Sequence, residues 1–140
     1  MTPKKITVEL DVDARVEKVW TFWTAPIHVL NWNFASDDWE CPRAENDLRV
    51  DGTFRYRMAA KNKSAAFNFE GTYFEIKKFK LIAYSMSDGR EVRVEFSSNP
   101  DGKTHIRETF DMENTNSEEM QRGGWQSILN NFKNYVEKSS

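Results

Sequence analysis

Hydrophobic and polar positions alternate along ITVELDV (6–12), which predicts a first β-strand. The pattern then changes period. Val16, Val19, Trp20 and Trp23 fall at i, i+3, i+4 and i+7, one face of a helix for which Asp13 is the expected N-cap. Pro26 suits the first turn of a second short helix reaching about residue 32. From Asn33 to Asp47 no period is visible, and the stretch reads as a long loop. Strand patterns resume in LRV-DG-TFRYRMAA, where Asp51-Gly52 signals a hairpin. They continue through 65–78, 81–87, 90–98 and 103–112, with KNKS (61–64), Asp88-Gly89 and Asn99–Gly102 as turns. The last segment is helical, with Thr115 or Asn116 as cap and Glu118 and Glu119 in its first turn. Trp125, Ile128, Leu129, Phe132 and Val136 form its apolar stripe.

The order is strand, two short helices, about six strands and one long helix. Strands segregated from helices predict an α+β fold with the long helix packed on one face of an antiparallel meander. At 140 residues, without a break in composition or an internal repeat, the chain is expected to form a single domain (1–140).

Alternation also assigns the inward face: Phe54, Tyr56 and Met58; Phe67, Phe69, Gly71 and Tyr73; Ile82, Tyr84 and Met86; Val92, Val94 and Phe96; Ile106, Glu108 and Phe110. Arg55 and Arg57 fall on the wet side. Glu108 interrupts an otherwise apolar face, where a carboxylate is costly unless paired or hydrogen-bonded. It reads either as an anchor or general acid for a guest, or as a carboxylate satisfied by Tyr or Arg neighbours or turned outward by a bulge. Gly123-Gly124 inside a helix implies close helix–sheet packing, space left above a cavity, or a broken helix.

The aromatic content, ten Phe, five Trp and four Tyr, exceeds what a core this small usually needs. Four of the tryptophans lie between residues 19 and 39. Trp20 and Trp23 are assigned to the core, and Trp32, Trp39 and Trp125 to contact with a bound molecule. A net charge of −2 with signs mixed along the chain argues against nucleic-acid binding. The N-terminal residues hold no signal-like apolar run, and no stretch reaches the roughly 20 residues of a membrane span. A cytoplasmic protein is expected. One cysteine, Cys41, excludes an internal disulfide. His28 and His105 give no metal spacing, no Gly-rich phosphate loop occurs, and Asp37, Asp38 and Glu40 read as a solvated acidic loop. No metal or cofactor is expected, and nothing orients a Cys41–His nucleophile.

VWTFWTAPIHVLNWNFASDDW, DLRVDGTFRYRM, FNFEGTYFEI, DGREVRVEF and GGWQSILNNFKNYVE together resemble the START-like SRPBCC superfamily. The branch they are most similar to is the C-terminal domain of the activator of the 90-kDa heat-shock ATPase. The likeness runs from about residue 5 to 138. It implies a helix-grip fold of six to seven strands wrapped around the C-terminal helix, with an apolar cavity between them. It also implies binding of a small hydrophobic molecule: a lipid, polyketide or aromatic. It supplies no catalytic residue. The residues expected to meet the guest are Trp32, Trp39, Phe54, Tyr56, Met58, Phe69, Tyr73, Tyr84, Met86, Glu108, Trp125 and Leu129. Two alternatives stand beside this reading. One is a cyclase or hydro-lyase using Glu108 and a tyrosine. The other is a partner-binding module contacting the heat-shock ATPase, although relatives with that role carry an N-terminal domain this chain is expected to lack. A monomer or weak homodimer is expected.

Overall fold

The computed structural model describes residues 4–139. Its elements run β1 (Lys5–Val12), α1 (Val16–Thr24), α2 (Pro26–Val29), β2 (Trp39–Asn46), β3 (Thr53–Ala60), β4 (Ala66–Lys77), β5 (Leu81–Met86), β6 (Glu91–Ser98), β7 (Thr104–Asp111) and α3 (Glu118–Lys138). All seven strands form one antiparallel sheet in the order β1-β7-β6-β5-β4-β3-β2, curled around α3. The connection from β1 to β2 crosses from one sheet edge to the other, and α1 and α2 fill that crossing. This is the expected α+β helix-grip architecture. No helix among the described residues is long and apolar enough to cross a membrane.

Alternation builds the core as expected. Ile6, Val8 and Val12 of β1, Val92, Val94 and Phe96 of β6, and Ile106 and Phe110 of β7 are buried against Leu129, Phe132 and Val136 of α3. On the outer face Arg55 pairs with Glu70 at 2.8 Å and Arg57 donates to Asn68 at 3.1 Å.

The differences from expectation have local causes. α1 begins after Arg15, whose side chain makes no cap, and Asp13 instead gives its backbone N–H to Glu137 Oε2 at 2.8 Å. α1 stops at Ala25 because the residue before a proline is driven from helical into extended backbone. The 33–47 stretch is not all loop, since Trp39–Asn46 is the edge strand β2. Its register breaks between Glu40 and Arg43, and an edge or bulge is where a sheet tolerates Pro42. Leu48-Arg49-Val50 is not a strand. Asp51, at φ 70°, and Gly52 close the β2–β3 connection, and both backbones bond to Tyr73 of β4. Ser117, rather than Thr115 or Asn116, caps α3, its Oγ accepting from Met120 N–H at 3.1 Å. The N–H groups of Thr115 and Asn116 go to the Glu113 carboxylate.

Candidate functional site

Between the concave sheet face and α3 lies a half-open cavity of about 560 Å³. Each wall follows from an element's period. β3 contributes Phe54, Tyr56 and Met58, β4 contributes Phe69 and Tyr73, and β5 contributes Ile82, Tyr84 and Met86. One face of α3 closes it with Met120, Gln121, Gly124, Trp125 and Ile128, and Trp23, Trp32, Asn33 and Ala35 close the far side. The rings lock one another. Trp125 stacks on Phe110 at 3.9 Å, Phe54 meets Tyr84 edge-on at 4.7 Å, and Trp23 and Trp32 both pack edge-on against Phe132. Trp32 is fixed further by donating Nε1–H to Phe22 O at 2.9 Å. At the mouth stand Phe67, which is half exposed, and Ser87, Asp88, Arg90, Glu113 and Asn116.

On the cavity wall, Gly71 is a position that a larger residue could not occupy without displacing its neighbours. A Cβ there would lie 2.9 Å from both Phe54 Cε1 and Ser85 O, so its absence lets β3, β4 and β5 bring their rings together. Gly123 and Gly124 correct the close-packing expectation. A Cβ at either meets nothing within 4 Å, and α3 is one unbroken helix through them. Gly124 leaves open space above the cavity.

Glu108 sits on this wall, 6% exposed, in unbroken register with Val8 and Val94. Glu108 is therefore neither turned outward by a bulge nor satisfied by Tyr or Arg neighbours, since no hydrogen bond to its carboxyl occurs among the described residues. Burial alone pushes its pKa up to about 8. Tyr84, also without a hydrogen-bond partner on its hydroxyl among these residues, is held well above its ordinary range by burial and by the nearby Glu108 charge. Tyr73 is anchored, its hydroxyl donating to Asn46 Oδ1 at 2.6 Å, and burial raises its pKa. Burial likewise raises Tyr56 beside it. Gln121 is fully engaged in the β7–α3 connection: it accepts from Glu113 N–H and donates to the carbonyls of Glu113 and Asn116.

Of the residues expected to meet a guest, all but Trp39 and Leu129 line the cavity. Trp39 opens the edge strand and packs toward Phe67 at 6.0 Å. Leu129 is wholly buried in the core beside the stripe that faces the cavity. Trp23, assigned to the core by its helical face, is half-buried and stands on the cavity wall. Sequence reasoning missed Gln121, although it lies four residues before Trp125 on the same stripe. It also missed Asn33, Ala35 and Arg90, for which no sequence signal existed.

The other candidates stand apart. His105 bridges Asp11 and Glu9 on the outer surface at 2.7 and 2.9 Å, and His28 Nδ1 meets Tyr135. Cys41 gives its Sγ–H to Arg43 O, and burial pushes its thiol up to about 11, the reverse of activation. A second concavity, of about 570 Å³, borders the outward-facing Thr53, Arg55, Thr72 and Ser85; its lining is mostly the hydrated side of the sheet.

Residues 13–137 match the family described as Activator of Hsp90 ATPase homolog 1-like protein. The chain belongs to this family. The AHSA1-like protein from Aeromonas hydrophila, solved by solution NMR, is 43% identical at a TM-score of 0.89, with 96% of this chain and 92% of that one covered. A Cytophaga hutchinsonii protein is 49% identical at a TM-score of 0.82, covering 95% and 92%. Protein NE0264 from Nitrosomonas europaea shares the fold at 17% identity and a TM-score of 0.83, covering 97% and 96%. Among curated proteins none matches.

Proposed function

We propose that this AHSA1-like chain binds a small hydrophobic molecule between its sheet and α3. One observation carries the reading: a cavity of about 560 Å³ walled by rings, with the unpartnered Glu108 and Tyr84 on its surface. Apolar walls with a few convergent polar groups are the usual form of a small-molecule site. The family's fold, which commonly encloses such cavities, supports it.

The test is native mass spectrometry of gently purified protein with organic extraction, followed by tryptophan fluorescence against fatty acids, sterols and flavonoids. A bound mass, or quenching lost in Trp23→Phe, Trp32→Phe or Trp125→Phe but retained in Trp39→Phe, supports the reading. No bound mass and no response across the panel refutes it.

Glu108 also favours a second reading, an enzyme of the cyclase or hydro-lyase kind. A carboxyl with pKa about 8 holds a proton at neutral pH and can deliver it to a bound substrate. Turnover of a bound polyketide or aromatic, lost in Glu108→Gln while binding persists, is the outcome that reading requires.

A further inference from the structure

Building on the cavity as a small-molecule site, we propose that its guest is a hydrophobic amine. It would bind as an ammonium, its nitrogen against the Glu108 carboxyl and its apolar body among the rings.

The charge inventory of the wall points there. Arg90 is the one cationic side chain among the described lining residues; it sits at the mouth with its Nε held by Asp88 Oδ2 at 2.7 Å. No cationic side chain inside would meet a carboxylate or phosphate head group. Glu113 adds a second acid at the mouth, its pKa lowered by N–H groups of Asn116 and Thr115 that favour the carboxylate. A fatty acid or an acyl phosphate would thus enter past acids and meet another at the wall.

A cation meets the opposite conditions. An ammonium carries three donors and no acceptor, and the Glu108 carboxylate and the Tyr84 oxygen can both accept from it. Trp125, Tyr84 and Phe69 line the same cavity, and an aromatic face attracts a cation within about 6 Å of its centroid. An alcohol could bond to Glu108, but it would gain nothing from those faces or from an ionised carboxyl. The lining thus holds one buried acid, acceptor oxygens and π faces, with no interior base.

The groups facing Glu108 are known from every side. β5 presents Tyr84, and β3 and β4 present Tyr56 and Tyr73 beyond it. β1 and β6 flank it with Val8 and Val94, and α3 brings the uncharged Gln121 and Trp125. The charged groups at the mouth are Asp88, Arg90 and Glu113, and Glu70 borders the cavity from the outer face, where Arg55 pairs with it. Because burial holds the Glu108 carboxyl near 8, about nine molecules in ten carry its proton at pH 7. When an ammonium enters, the Glu108 O–H bond breaks, the proton passes to buffer, and a carboxylate–ammonium pair remains. Binding therefore releases close to one proton at pH 7. Affinity rises about tenfold per pH unit up to roughly 8, then levels off until the amine itself titrates.

Three probes with one ring system separate the head groups: 1-naphthylmethylamine, 1-naphthylmethanol and 1-naphthoic acid. Titration calorimetry at pH 6, 7 and 8, in two buffers of different ionisation heat, gives affinity and proton release together. The expected result is the amine tightest and the acid weakest, with nearly one proton released at pH 7. In Glu108→Gln the amine should lose at least tenfold and all its proton release, while the alcohol binds as before and shows the variant folded. An alcohol that matches the amine, an acid that exceeds it, or amine binding without proton release overturns the proposal and leaves the hydrophobic-guest reading intact. If none of the three binds, the amine proposal falls, and the hydrophobic-guest reading is decided by the bound mass and the fatty acid, sterol and flavonoid panel.

Discussion

Replacing Glu108 by glutamine should stabilise the protein, by an amount that depends on pH in a calculable way. The wild-type carboxyl has an ordinary value of 4.5 and is pushed up to about 8 by burial. Below pH 4.5 both the folded and the unfolded chain hold the proton, and the site carries no ionisation penalty. Between 4.5 and 8 the unfolded carboxyl ionises while the folded one stays protonated, so the unfolded state binds fewer protons and stability falls as pH rises. Each unit costs roughly 1.4 kcal/mol, giving a loss of about 3 kcal/mol at pH 7 and a plateau of roughly 4–5 kcal/mol above pH 8. Glutamine has nearly the same shape and cannot ionise. Urea denaturation of both proteins at pH 5, 7 and 9 should therefore show a small difference at pH 5, about 3 kcal/mol in the variant's favour at pH 7, and more at pH 9. Against a typical domain stability of about 5–15 kcal/mol, such a gain is easily measured. A difference that is flat with pH, or a variant less stable than wild type at pH 7, would refute the view that Glu108 is a desolvated acid without a partner.

Gly71→Ala should cost about 1–3 kcal/mol by denaturant unfolding, because its Cβ would press on the backbone oxygen of Ser85 as well as on Phe54. The helical glycines should behave oppositely: Gly123→Ala and Gly124→Ala each gain up to about 1 kcal/mol of helix propensity. Only the second should weaken ligand binding, since only Gly124 borders the cavity. Ser117→Ala should lose about 1 kcal/mol with the cap of α3, read as a lower unfolding midpoint. His105 is raised above 6.5, first by its hydrogen bond to Asp11. Its stabilisation should be full below pH 6.5 and fade as pH rises through the folded value, and in His105→Asn that fading should vanish from the stability profile.

The fold was legible wherever one face of an element is buried and the other wet. β4 to β7 were found within a residue or two because their alternation is set by a single core-facing side. β2 was invisible for the converse reason. As an edge strand it buries little beyond Cys41, carries charges along its length and absorbs Pro42 where its register breaks. The site was legible to the same depth. Alternation placed Tyr56, Tyr84 and Glu108 on the right face, but periodicity gives a direction and not a distance. It could not separate Leu129, one step round α3 from the wall, from Ile128 upon it. Nor could it show that Trp23, on a core-like helical face, reaches the cavity. The residues of the mouth come from the β5–β6 and β7–α3 connections and the start of β4, which only the tertiary fold brings together.

Gly124 and Glu108 make a common physical argument about this cavity. Alanine at the first would lengthen the favourable run of α3 and meet no neighbour; a neutral side chain at the second would remove an ionisation cost. Each residue therefore makes the folded chain less stable than a simple replacement would. Both face the same space, one from the helix and one from the sheet. A core packed only for stability would close that space, since lining atoms without neighbours forfeit dispersion contacts. Here Gly71 sets the rings of β3, β4 and β5 tightly against one another, so the openness is not looseness of the sheet. The rings of the walls pack against one another, and the void lies between them where Glu108, without a hydrogen-bond partner among the described residues, faces it. On the proposed reading, that arrangement trades folding free energy for complementarity to a small-molecule guest.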